Sequence, residues 1–98
     1  MYVIVWEYSV VAGAEAEFER AYGADGMWAT FFGESPHYLG TELLRSVEDD
    51  SYWTIDRWSS REAYEQFLEE HSGEYERIDN SCAQLTETEL VIGRFELL

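Results

Sequence analysis

Tyr52-Trp53-Thr54-Ile55-Asp56-Arg57-Trp58-Ser59-Ser60-Arg61-Glu62-Ala63-Tyr64-Glu65-Gln66-Phe67 decides the fold, because it contains a strand, a boundary and a helix in sixteen residues. Tyr52, Trp53, Thr54, Ile55 and Trp58 suit a pleated, half-buried surface. Ser59 stands three residues before Glu62, the spacing of a capping box. The serine hydroxyl accepts from the Glu62 N–H there, and the Glu62 carboxylate reaches back to the Ser59 N–H. Trp58, just ahead of the cap, is placed to pack over Ala63 as a hydrophobic staple. Ala63, Tyr64, Phe67, Leu68 and His71 then follow helical spacing, with Glu62, Glu65, Glu69 and Glu70 on the wet side.

Working outward, Tyr2 to Tyr8 reads as a strand with Val3 and Val5 on one face and Tyr2, Ile4, Trp6 and Tyr8 on the other. Apolar residues on both faces mark a central strand covered on both sides. Gly13 ends it, and a helix is predicted from about Ala14 to Tyr22, turning Phe18, Ala21 and Tyr22 inward. Asp25-Gly26 punctuates, Met27 to Phe32 reads as a shorter helix, and Gly33 to Pro36 is a loop. Tyr38 to Val47 is the second strand, joined by the acidic turn Glu48 to Ser51 to the third as a hairpin. Ser72-Gly73 interrupts the capped helix, helical turns resume from Glu74 to about Leu85, and Leu90 to Leu97 is the last strand. Strand–helix–strand–strand–helix–strand is the split βαβ, ferredoxin-like α+β arrangement: one four-stranded antiparallel sheet with its helices on one face. The other face needs a cover. A second copy of the chain is the simplest one, so a homodimer with two facing sheets is expected.

The chain has 98 residues, 46% hydrophobic and 16% aromatic, which suits one folded domain over residues 1–98 and argues against disorder. All six basic residues are arginine, and the formal net charge is −15. A field this negative repels phosphate backbones and anionic lipid, so nucleic acid and membrane are poor partners. A high-salt cytoplasm and a G+C-rich genome account equally for an acidic composition without lysine. The lone Cys82 cannot form an intrachain disulfide and lies on an apolar helical stripe with Tyr75, Ile78 and Leu85, the pattern of a buried thiol. With no basic, apolar leader and no apolar run of about 20 residues, a cytoplasmic setting is expected.

Phe18-Glu19-Arg20-Ala21-Tyr22, Gly26-Met27-Trp28, Leu39-Gly40-Thr41-Glu42-Leu43-Leu44-Arg45 and above all Ile55 to Phe67 make the chain resemble the antibiotic biosynthesis monooxygenase family of dimeric α/β-barrel proteins. The likeness covers nearly the whole chain, and its motifs are structural. It implies a homodimer with a substrate pocket between each sheet and its own helices. It also implies oxidation of aromatic polyketides, quinols or haem without a flavin or metal, the protein supplying desolvation, orientation and help in deprotonation. Haem-degrading members carry an Asn on the first strand, a Trp on the second helix and a His further on. At those positions this chain offers Glu7 and Tyr8, then Phe67, then the neighbourhood of Arg77. The resemblance therefore points away from haem.

His37 and His71 are the side chains whose ordinary pKa lies near neutrality, which makes them the candidate catalytic bases. The bland reading of His71 is a cation at a helix C-terminus. Trp28, Phe32, Tyr64, Phe67 and Tyr75 are the candidate lining of an aromatic-substrate pocket, and the bland reading is plain core. Arg45, Asp56, Arg57 and Arg94 interrupt apolar strands; if buried they must be paired, and an ion-pair network that specifies dimer register is favoured over substrate binding. No metal-ligand spacing, Ser-His-Asp set, phosphate loop or C-x-x-C pair is present, so metal, hydrolase and nucleotide readings lack support. The expectation is a monooxygenase-like enzyme with no tightly bound cofactor, acting on a small aromatic or quinol-type molecule. The alternative is a non-catalytic homodimeric module that binds a small molecule or assembles, its helix–sheet space filled by Trp28, Phe32 and Phe67.

Overall fold

The computed structural model describes residues 1–98. Its elements are β1 (Tyr2–Val10), α1 (Glu15–Tyr22), α2 (Met27–Phe32), β2 (Tyr38–Arg45), β3 (Ser51–Trp58), α3 (Arg61–Glu70), α4 (Ser72–Cys82), a 3-10 turn (Ala83–Leu85) and β4 (Thr86–Glu96). The strands form one antiparallel sheet in the order β2-β3-β1-β4, so β1 is central, as its two apolar faces require. This is the expected ferredoxin-like α+β fold.

Side chains alternate across the sheet. Tyr2, Ile4 and Tyr8 of β1 and Tyr52, Thr54 and Trp58 of β3 are buried beneath the helices with Phe18, Phe31, Phe32, Tyr64 and Phe67. Trp58 and Phe18 are fully buried, and each sits in a knot of rings. Trp58 lies 5.4 Å from Tyr64 and 5.5 Å from Phe67, and Phe18 stacks on Tyr22 at 4.2 Å.

The register slips between Tyr38 and Gly40 against β3, leaving Leu39 as an extra residue in β2. Gly40 stands at φ +122°, a conformation an L side chain resists. That bulge sets the phase of β2, so Thr41 faces the helices opposite Asp56 while Glu42 and Leu44 face away with Ile55 and Trp53.

Several boundaries differ from the sequence reading. The N-cap of α3 is Ser60, whose Oγ accepts from the Ala63 N–H at 3.1 Å. Ser59 is drawn instead to His37: its N–H donates to the His37 carbonyl at 2.8 Å and its Oγ meets His37 Nδ1 at 3.1 Å. With two serines in succession, the strand-end pairing of Ser59 decides which one is free to cap. Ser60→Ala should therefore cost about 1 kcal/mol in urea denaturation. Ser59→Ala, which removes a bond to an exposed ring, should cost less. The helix breaks at His71 (φ −122°, ψ 27°), and Gly73 lies inside α4. β1 and β4 run two and four residues beyond their expected ends, at Val10 and Thr86, because they pair with each other there.

Candidate active site

Four strands and four helices line a cavity of about 180 Å³ between the sheet and its helical cover. Its floor is Trp6 and Tyr8 from β1, Thr41 from β2, Thr54 and Asp56 from β3 and Glu89 from β4. Its roof is Tyr22 from α1, Trp28 and Phe32 from α2, Tyr64 from α3 and Tyr75 and Asp79 from α4. A protein cavity of about 150 Å³ admits benzene, so the space suits a substituted aromatic ring.

Asp56 is the carboxyl at the heart of this cavity. Thr41 donates to its Oδ1 at 2.6 Å, and the Tyr38 hydroxyl bonds to Thr41 behind it. Burial pushes the Asp56 carboxyl up to about 6, against the opposing pull of the Thr41 bond. Facing it are the phenols of Tyr8 from β1, Tyr38 from β2, Tyr64 from α3 and Tyr75 from α4. Burial raises each of these above the ordinary tyrosine value, so all four stay protonated. The Tyr8 hydroxyl is tied to Thr54 Oγ1 at 3.2 Å. The buried Trp28 indole N–H makes no well-formed hydrogen bond, although it approaches the Tyr22 phenol.

Ion pairs form at Arg45–Glu19 (3.7 Å) and Arg57–Glu42, but none joins Asp56, and Arg94 stays exposed. Within the chain Arg45, Asp56, Arg57 and Arg94 form no ion pairs with one another. Arg57 and Asp56 are sequence neighbours on opposite faces of β3, so alternation separates them. Asp56 is left as a buried acid with a hydroxyl partner and free access to the cavity, the chemistry of a proton acceptor.

Trp28, Phe32, Tyr64 and Tyr75 line the cavity, whereas Phe67 packs behind it against Phe31, Phe32 and Trp58. His37 and His71 lie together in a separate surface cleft with Glu34, Ser60, Gln66 and Glu70. The His71 ring stacks on Phe67 at 4.2 Å, and its Nδ1–H donates to the Phe67 carbonyl at 3.0 Å, closing the end of α3. No group of three or more His, Cys, Asp or Glu side chains is placed to hold a metal ion. Sequence reasoning missed Trp6, Tyr8, Tyr22, Thr41, Thr54, Asp79 and Glu89 as lining residues, and favoured an ion-pair role for Asp56. Strand alternation places Trp6 and Thr41 on the helix side, but nothing in the sequence brings α4 and β4 together at Asp79 and Glu89.

Among solved structures, SnoaB, a cofactor-independent oxygenase from Streptomyces nogalater, superposes with a TM-score of 0.79 at 26% identity over 99% of this chain and 92% of that one. Rv0793 from Mycobacterium tuberculosis has the same fold (TM-score 0.74, 15% identity, 99% of this chain and 94% of that one). So does a variant of MhuD with manganese protoporphyrin IX bound (0.69, 22%, 100% and 95%). No curated protein matches the chain by sequence. The sequence profile described as antibiotic biosynthesis monooxygenase matches residues 1–77, the span from β1 into α4 that supplies all of the cavity except Asp79 and Glu89, and the chain belongs to that family.

Proposed function

We propose that the protein is a cofactor-independent monooxygenase for a small electron-rich phenol or quinol, with Asp56 as the base. The observation that carries this reading is the interior carboxyl of Asp56, with its pKa raised to about 6, among the aromatic rings of a cavity of about 180 Å³. The Asp56 carboxylate removes a proton from the bound substrate, conjugated with its phenol, and the resulting anion reduces dioxygen directly. A carbon–oxygen bond forms, and Asp56 returns its proton to the peroxide. The O–O bond then breaks to leave a carbonyl on carbon and release water. A ring methylene plus dioxygen becomes a ketone plus water, so the substrate supplies all four electrons and no separate reductant enters. Trp6, Trp28 and Phe32 orient the ring and exclude water, which preserves the anion for oxygen. Likeness to an oxygenase described as cofactor-independent supports the same chemistry.

Oxygen uptake with a panel of quinols and hydroxylated fused-ring aromatics tests this, with heavy-isotope dioxygen to follow the inserted atom. One labelled oxygen in the product is the expected result. Substrate-independent uptake, or label found only in water, would sink the assignment. A porphyrin fits poorly, because the cavity is too small and no histidine lines it to ligate iron.

We also propose a homodimer through the sheet face turned away from the helices. Val5, Leu44, Trp53, Ile55, Leu90 and Phe95 share that face, with Leu44 46%, Leu90 57% and Phe95 50% exposed. Apolar strand residues this open support a sheet-to-sheet contact. Ile55→Asp at its centre should turn a dimer into a folded monomer in sedimentation velocity at micromolar concentration. A native chain that sediments as a monomer would refute the proposal.

A further inference from the structure

The cavity is acidic as well as aromatic. Three carboxyl groups line it, Asp56 in the interior and Asp79 and Glu89 on exposed positions at the opening, and no arginine or histidine does. None of these three carboxyls has an ion-pair partner. Burial raises the Glu89 carboxyl above the usual range, and the neighbouring Asp79 raises it further. Two carboxylates that repel each other without a counter-ion are most readily relieved by a cation. The rings beside them point to the same ligand. Tyr22 and Trp28 lie 6.2 Å apart and Trp28 and Tyr75 5.1 Å apart, and all three line the cavity with Asp79 and Glu89. Aromatic faces attract an organic cation within about 6 Å of the ring centre, most strongly where water is excluded. A net charge of −15 draws cations toward the opening and repels anions.

We propose that the site selects substrates by charge, taking a phenol whose far end bears a protonated amine. The amine lies between Asp79 and Glu89 against Tyr22, Trp28 and Tyr75, and the phenol lies at Asp56. Phenols bearing a carboxylate are rejected. This rests on the reading of the cavity as the substrate site, and it names the class of substrate that site accepts.

Calorimetric titration with tyramine, 4-ethylphenol and 4-hydroxyphenylacetate, which share a ring and differ in charge, tests the proposal. The expected order of affinity is cation, neutral, anion, with at least about tenfold between first and last and a gap that narrows as salt screens the charges. Asp79→Asn/Glu89→Gln, at exposed positions, should bring tyramine down to the level of 4-ethylphenol measured on the same variant. Equal affinity for cation and anion overturns the proposal. So does a tyramine preference that survives the double variant, or failure of all three probes to bind. Oxygen uptake separates the two claims. Charge selection without oxidation of any phenol defeats the oxygenase reading alone, and oxidation of phenols without charge selection defeats this inference alone.

Discussion

Asp56→Asn should lower kcat/KM for the oxidised phenol by about 10²–10⁴-fold, the usual range for removing a general base. Asn keeps an oxygen to accept from Thr41, so the cavity keeps its shape and loses only the proton acceptor. In the unaltered protein kcat/KM should rise with pH through about 6 as the carboxyl ionises. His37→Ala and His71→Ala, in the separate cleft, should leave that profile in place. A profile that moves with either histidine, or an Asn variant of full activity, would remove Asp56 from the mechanism.

The same substitution should act on stability in the opposite direction. Folding raises the Asp56 carboxyl from 3.8 to about 6, so the folded chain holds this proton more tightly than the unfolded chain. The resulting stabilisation is complete below pH 3.8 and is lost as pH rises through about 6, after which a bare carboxylate stays buried. That displacement is worth on the order of 3 kcal/mol. Asp56→Asn should therefore be more stable than the unaltered protein at about pH 8, and the advantage should shrink toward about pH 5. Urea denaturation at both values measures it. A less active but more stable variant is what a strained catalytic group produces.

Trp58→Ala is expected to be the most damaging substitution in the core, at about 3–5 kcal/mol. Trp58 is 0% exposed and meets the rings of Phe32, Tyr38, Tyr64 and Phe67, each between 5.4 and 5.6 Å away. Truncation leaves a void that these rings cannot all fill, since they are anchored to three different elements, α2, β2 and α3. Thermal unfolding should begin more than about 10 °C lower. Trp58→Phe should cost much less. It keeps an aromatic body and removes an indole N–H that is buried without a partner, a group that is itself destabilising. If Ala and Phe are equally harmful, ring packing is not what Trp58 contributes.

Periodicity and turn chemistry made the order of elements legible, because strand alternation and helical spacing are local properties. Where the reading slipped, tertiary contact decided. The spacing to Glu62 favours Ser59 as the cap in sequence, and only the approach of His37, in the turn ahead of β2, takes Ser59 away and leaves Ser60 to cap. His71 follows the apolar stripe of α3, but its ring folds back onto the Phe67 carbonyl and ends the helix there. Neutral-range titration drew attention to the two histidines, whereas the group near neutrality inside the cavity is Asp56, which burial moves into that range. Four of the five expected lining aromatics reach the cavity, since a helix face predicts inward direction. Phe67 points inward too, but toward Trp58, a distinction that depends on how α3 crosses the sheet.

Strand β3 carries two messages in alternate letters. Thr54 and Asp56 address the cavity, while Trp53, Ile55 and Arg57 address the opposite surface. Point substitutions can revise either message and leave the other intact, so substrate choice and self-association can diverge independently among descendants of this chain. A single inserted or deleted residue between Ser51 and Trp58 exchanges the two readings and destroys both. Length variation in this strand should therefore be purged, while its composition stays free to drift one face at a time.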